Sequence, residues 1–124
     1  MINLLIMLFL HFLSDFIFQS REMAENKSKD VKVLFKHCFT IFLVFSLFGI
    51  EFALYNAVIH FFIDATIWNI YKLTVKLRNK ERTKKDLTNN FEYWKDSIFY
   101  DFIGLDQMLH IATLIILAYN FNLT

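Results

Sequence analysis

The sequence predicts an all-α membrane protein, a four-helix transmembrane bundle with a polar pocket in its cytoplasmic half. Of the 124 residues, 56% are apolar, there is no proline and only two residues are glycine. A water-soluble domain of this length needs more turns and more polar surface than that. The apolar residues also fall into four blocks, each close to the roughly 20 residues that cross a bilayer.

The predicted helices cover about 2–19, 33–49, 52–72 and 98–121, within a single transmembrane domain, 1–124. The first block lacks the basic start and the small-residue cleavage site of a secretory signal, so we interpret it as a retained helix. A tight turn at Gly49 separates the second helix from the third. Segments 20–32 and 73–97 are then the two loops on the opposite side of the bilayer.

The basic residues predict the orientation. All thirteen lysines and arginines lie in these two loops or at their edges. Because such an excess marks the cytoplasmic side, we expect a multi-pass protein of the inner membrane with both termini outside. The basic run at 77–86 is interpreted as a solvated helical extension near anionic lipid headgroups rather than a nucleic-acid-binding segment.

The four histidines all lie within or at the edge of an apolar block, although membrane helices usually exclude this residue. Three of them are four residues from an aspartate and therefore share a helix face with it. These pairs are His11 with Asp15, His60 with Asp64, and Asp106 with His110, whereas His37 stands alone at the start of the second helix. The aspartates lie roughly 7 to 12 Å inside the cytoplasmic ends of their helices, which is one common depth.

A charged aspartate near the centre of a membrane helix opposes insertion by about 2.5–3.5 kcal/mol, and a shared cation offsets that cost. Imidazole and carboxylate together suit zinc, manganese or iron. We therefore expect a divalent metal held by Asp15, His60, Asp64, Asp106 and His110, with His11 or His37 as a catalytic acid or base. The other residues expected in the pocket or at its mouth are Gln19, Arg21, Lys27, Asn56 and Gln107. Of these, Arg21 and Lys27 are expected to hold an anionic headgroup or a phosphate.

These residues predict a metal-dependent hydrolase that acts on a phosphoester or lipid-like substrate at the cytoplasmic leaflet, where the metal activates a water molecule. One alternative is a proton or ion relay or transport component, which in so short a chain we expect to need a homo-oligomer. Another is a structural or adaptor protein that binds a partner through its basic loops. The single cysteine, Cys38, excludes an internal disulfide and a cysteine-rich zinc site.

The order of these motifs resembles a family of small bacterial and phage membrane proteins known as domain of unknown function family 3307. The resemblance rests on H-x-x-x-D-F-x-x-Q at 11–19, M-A-x-x-K at 23–27, the lone His37, H-x-x-x-D at 60–64 and D-Q-x-x-H at 106–110. Ser14 stands where the family pattern leads us to expect glycine. The resemblance implies a multi-pass membrane protein and carries no reaction, so the predicted chemistry depends on the residues alone.

Overall fold

The computed structural model describes residues 2–20, 23, 26–82 and 97–124, for 2 and 79–82 the backbone alone, and these residues form helices and turns with no strand. Four helices run in chain order. Helix α1 is Ile2–Phe12 and continues as a π-helical turn, Leu13–Ile17; α2 is Val31–Phe45 and continues as a 3₁₀ turn, Ser46–Phe48; α3 is Ile50–Arg82; α4 is Ser97–Asn120.

Local sequence explains where α2 begins and ends. The Asp30 side chain accepts a hydrogen bond of 2.8 Å from the backbone N–H of Lys32, which caps the first turn of α2. At the other end, Gly49 has φ 120° and ψ 141°, a conformation that only glycine adopts at low cost. The chain therefore reverses within one residue, and α3 starts at Ile50.

Helix α3 is 33 residues long and extends ten residues beyond the predicted end at 72, into the segment predicted as a loop. The segment 73–82 reads LTVKLRNKER, whose leucine, lysine and arginine residues are good helix formers. The prediction placed the helix end where the apolar residues stop. Loss of apolar character marks the end of a membrane span, but it does not end the hydrogen-bonded helix.

Within the described residues, α3 packs against α2 and α4, and α1 packs against α2 and α4, which makes a ring of four helices. One end of this bundle has an apolar core. Its fully buried members are Met7, Ile41, Phe45, Phe52, Ala53, Leu114 and Ala118. The polar residues of the interior lie beyond this core, toward the ends of the helices that lead into the two basic connections.

Three helical segments are long and apolar enough to cross a membrane, which indicates a membrane protein: Val31–Phe48, Ile50–Arg78 and Ser97–Asn120. The first helix is apolar over Asn3–Ile17 but shorter than a typical span. Large apolar side chains such as Phe39, Phe62 and Ile116 point outward along the bundle. The sequence prediction of an all-helical chain is confirmed, and three of its four predicted spans have the required length.

Candidate metal centre

The π-helical turn of the first helix directs Asp15 into the bundle. Its defining bond runs from the backbone N–H of Phe18 to the carbonyl of Leu13, at 2.7 Å. Such turns widen a helix locally and are frequent at functional sites. Ser14, also fully buried, donates its hydroxyl hydrogen to the Leu10 carbonyl at 2.8 Å. The Asp15 carboxylate is left facing the other three helices.

Two imidazoles from neighbouring helices meet this carboxylate. His37 Nε2 on α2 lies 3.0 Å from His60 Nε2 on α3. Asp15 Oδ1 is 3.4 Å from each of these two nitrogens. Asp64 Oδ2, one turn along α3 from His60, is 3.6 Å from each of them.

These distances describe two triangles that share the His37–His60 edge. The edges measure 3.0 to 3.6 Å. A tetrahedral shell of ligands at about 2.0–2.1 Å from zinc has edges of about 3.3–3.4 Å. Each triangle, with two nitrogen donors and one oxygen donor, therefore has spacings close to those of one face of a zinc-sized tetrahedron.

The His110/Asp106 pair of α4 lies beside these triangles. The ring of His110 on α4 stacks on that of His60 with centroids 3.8 Å apart. His110 Nε2 is 4.0 Å from Asp64 Oδ1, and His110 Nδ1 is 3.7 Å from Asp106 Oδ2. His11, on α1, has its Nε2 3.7 Å from Asp15 Oδ2. The three predicted His/Asp pairs and the isolated His37 thus occupy one buried cluster.

Many polar atoms of this cluster are buried without a hydrogen-bond partner in the described part of the chain. They are Oδ1 of Asp15 and Asp106, both carboxylate oxygens of Asp64, Nε2 of His11, Nδ1 of His37 and both ring nitrogens of His110. Each such atom costs about 1–3 kcal/mol of desolvation when it is left unpaired. Carboxylate and imidazole donors in this number fit a divalent cation, which would bind several of them at once.

Two long side chains reach the cluster from outside it. Gln107 donates from Nε2 to Asp15 Oδ2 at 2.9 Å and more weakly to Asp106 Oδ2 at 3.4 Å. Lys27, in the connection before α2, places Nζ 3.5 Å from Asp64 Oδ2. Burial lowers the pKa of Lys27, but Asp64, Asp15 and Asp106 raise it by more, so the pKa lies above its ordinary value. Lys27 is therefore a cation held among three carboxylates.

The same connection is tied to α3 at a second point. Lys72 Nζ donates to the backbone carbonyl of Ser28, one residue beyond Lys27. This contact involves no carboxylate of the cluster. The two lysines hold the connection over the end of the bundle where the cluster lies.

The remaining predicted pocket residues have different positions. Asn56 is buried one turn from His60, and its Nδ2 has no hydrogen-bond partner among the described residues. Gln19 is half-buried, and its Oε1 likewise has no partner there. Arg21 lies outside the described residues. Neither Asn56 nor Gln19 makes a hydrogen bond or an ion pair with the His/Asp cluster.

Two predicted site residues have contacts that the sequence did not indicate. His37, predicted as a catalytic acid or base, is fully buried at the shared edge of both triangles. Lys27, predicted at the mouth as a residue that holds an anion, forms an ion pair with Asp64. Neither residue has a partner four positions away, so no helical spacing indicated these contacts.

Comparison with known proteins identifies the family. The model of the family described as "Protein of unknown function (DUF3307)" matches residues 3–124, nearly the whole chain, and the protein belongs to this family. No curated protein and no solved structure matches the chain.

Proposed function

We propose that this member of the DUF3307 family binds a divalent metal ion, with zinc preferred, inside the membrane and uses it to hydrolyse a phosphoester or lipid-like ester at the cytoplasmic leaflet. The observation that supports the metal is the pair of triangles sharing the His37–His60 edge, whose edges of 3.0 to 3.6 Å suit tetrahedral ligation. The proposed orientation, with both termini outside and the basic connections cytoplasmic, follows from the lysine and arginine distribution.

The carboxylates of Asp15 and Asp64 differ in the contacts that hold them in place, and this difference suggests different roles. Asp15 is fixed by the hydrogen bond from Gln107, as ligating carboxylates usually are. Asp64 has no hydrogen bond of this kind among the described residues, and its described support is the ion pair of Oδ2 with the Lys27 ammonium. In the proposed mechanism His37, His60 and Asp15 would hold the metal, the metal would supply an activated water molecule, and Asp64 would accept the proton that this water loses.

A catalytic rather than purely structural metal is supported by the number of donors. Four protein ligands complete a structural zinc site, whereas a catalytic site keeps a position for water or substrate. Here His11, Asp106 and His110 surround the four triangle residues with further unpaired polar atoms. A structural ion would leave these atoms without a function and without a partner.

The lipid-like part of the substrate is supported by a groove of about 470 Å³ between α2 and α3. All its lining side chains are apolar, and one of them, Cys38, directly follows His37. The groove extends along both helices from Phe35 and Phe62 toward Phe42 and Leu54, which is the direction of an acyl chain in a bilayer. We propose that the chain of an inner-leaflet lipid lies in this groove while its headgroup approaches the metal.

The apolar core, which has no polar side chain in its described part, opposes the alternative of a proton or ion relay. Beyond the cluster the described interior is formed by residues such as Met7, Ile41, Phe45 and Leu114, which offer no polar atom to carry a proton. Proteoliposomes with an imposed pH gradient should therefore show no added proton flux when they contain this protein. A flux that disappears in His60→Ala would instead favour the relay.

The full chain, purified in detergent and reconstituted in anionic lipid, tests the proposal directly. Elemental analysis should find at least one zinc, manganese or iron ion per chain, and a fluorogenic phosphoester with an acyl tail should be hydrolysed. Asp15→Asn should lower both metal content and hydrolysis, whereas Ile116→Ala, on the outer face of α4 and outside both the triangles and the groove, should lower neither. Protein free of metal after purification in metal-supplemented buffer would overturn the proposal.

A further inference from the structure

We propose that the centre takes a second divalent ion, bound by Asp64, Asp106 and His110, and that this ion enters in exchange for the Lys27 ammonium. The inference rests on the proposed metal site at His37, His60 and Asp15. It goes beyond that site because it assigns a two-metal centre and a regulatory role to a lysine.

The Asp64 carboxylate carries the first step of the argument, because its two oxygens face different imidazoles. Oδ2 is 3.6 Å from the Nε2 atoms of His37 and His60. Oδ1 faces the other way, 4.0 Å from Nε2 of His110. A carboxylate in this position can bridge two ions at the separation of about 3.5–4 Å that is typical of two-metal hydrolases, and in the two-ion form Asp64 would be a ligand of both ions rather than the proton acceptor of the one-ion form.

The imidazole rings of His60 and His110 support the same separation between two ions. The rings of His60 and His110 are stacked with centroids 3.8 Å apart and an interplanar angle of 27°. The lone pair of an imidazole nitrogen lies in the plane of its ring, and two nearly parallel ring planes do not converge on one point, so each ring suits a different ion. Asp64, Asp106 and His110 each offer one donor atom, and the three atoms lie within 4.8 Å of one another.

The three proposed ligands of the second ion also have buried polar atoms without a partner. Asp64 Oδ1, Asp106 Oδ1 and both ring nitrogens of His110 have no hydrogen-bond partner among the described residues. All three residues are at least 97% buried. An ion held only by the first triangles would leave most of these atoms unpaired.

The total charge of the centre explains why the Lys27 ammonium must move away before a second ion binds. With neutral imidazoles, three carboxylates and one ammonium leave two negative charges, which one divalent ion neutralises. A second ion would make the centre positive while Lys27 stays 3.5 Å from Asp64. If the ammonium withdraws, still protonated, and a bridging water loses one proton to the solvent, two ions, one hydroxide and three carboxylates again sum to zero.

Lys27 is suited to such a movement. It lies in the connection between α1 and α2, and its charge sits on a flexible four-carbon stem. Lys72, whose contact with Ser28 holds the same connection, touches no cluster carboxylate. Lys72 therefore provides a matched control for the loss of one lysine at this end of the bundle.

Manganese titration of the full chain in detergent tests this inference, with bound ion counted by elemental analysis and ion pairs detected by electron paramagnetic resonance. The wild type should bind two ions in two steps and show a spin-coupled pair at saturation. Asp106→Asn and His110→Ala should each retain the first step and lose the second. Lys27→Gln should tighten the second step by at least about tenfold, because it removes a competing charge, and Lys72→Gln should not.

The outcomes separate the two proposals. A wild type that binds one ion without spin coupling, and a Lys27→Gln variant that also binds one, would overturn the two-metal centre and leave the proposed hydrolase in place. A wild type that binds no ion would overturn both. Variants that fail to fold leave the wild-type stoichiometry and coupling as the deciding measurements.

Discussion

The Nε2 atoms of His37 and His60 lie 3.0 Å apart on neighbouring helices, although 23 residues separate them in the chain. Only one of two facing nitrogens can donate a hydrogen, so two neutral imidazoles satisfy each other here through a single bond. Both nitrogens also lie 3.4 Å from Asp15 Oδ1. A cation at this edge would be bound by both rings at once.

Loss of one ring at this edge should weaken metal binding strongly. We expect His37→Ala to lower zinc affinity by more than about 100-fold, because it removes a ligand rather than a supporting residue. Competition with a zinc-binding dye, in detergent, measures this change. Cys38→Ala is the control, and equal affinities for the two variants would remove His37 from the metal site.

The stability of the protein should depend on metal. At a free zinc concentration of 100 times Kd, the native state gains about 2.7 kcal/mol, and chelator should abolish that gain. Asp64→Asn should show a much smaller difference between the two conditions, since the amide lacks the charge that attracts a cation.

The same variant separates metal binding from packing. Without metal, Asp64→Asn should be less stable than the wild type, because the buried Lys27 ammonium loses its ion-pair partner, and this loss should not depend on chelator. Thermal unfolding with and without chelator provides both comparisons. Identical curves for the two proteins in both conditions would mean that no ion is bound at Asp64.

The two glycines should respond in opposite ways to the same substitution. Gly49 has φ 120°, so Gly49→Ala should destabilise the turn by about 1–3 kcal/mol even though no atom lies within 4 Å of the added Cβ. Gly104 lies inside α4 with open space at its Cβ position, so Gly104→Ala should stabilise the helix by about 0.5–1 kcal/mol. Chemical unfolding in detergent measures both, and a stabilising Gly49→Ala would contradict the described backbone.

Reporter fusions should reveal the orientation. A fusion after Thr124 should report an external position and a fusion within the basic connection, near Lys84, a cytoplasmic one, because basic residues are retained on the cytoplasmic side. Active phosphatase at the first site and active fluorescent protein at the second are the expected readouts. The reverse pattern would place the metal centre toward the outer leaflet.

The sequence predicted the fold and the three His/Asp pairs because both follow from periodicity. Residues four apart share a helix face, so the position of Asp64 follows from that of His60. The position of His37 did not follow, since it has no acidic partner four residues away and its contact partner lies on another helix. The ion pair of Lys27 with Asp64 depends on the path of a connection, which has no repeat that a sequence pattern could reveal. The end of α3 was placed at 72 for a similar reason, because 73–82 changes polarity without a residue that breaks a helix, although the basic run at 77–86 was itself interpreted as a helical extension.

The π-helical turn at Leu13–Ile17 makes the number of residues in the first helix as important as their chemical character. A π turn accommodates one residue more than an α turn does. Deletion of Leu13 would let this segment close as a plain α-helix and would remove the widened turn that directs Asp15 into the bundle. Asp15 would then turn away from the His/Asp cluster although no polar side chain had been changed, and the loss of bound metal in such a deletion would show it. The extra residue of the π turn therefore cannot be removed without loss of the site. A substitution of Leu13 by another apolar residue keeps the number of residues and so keeps the position of Asp15.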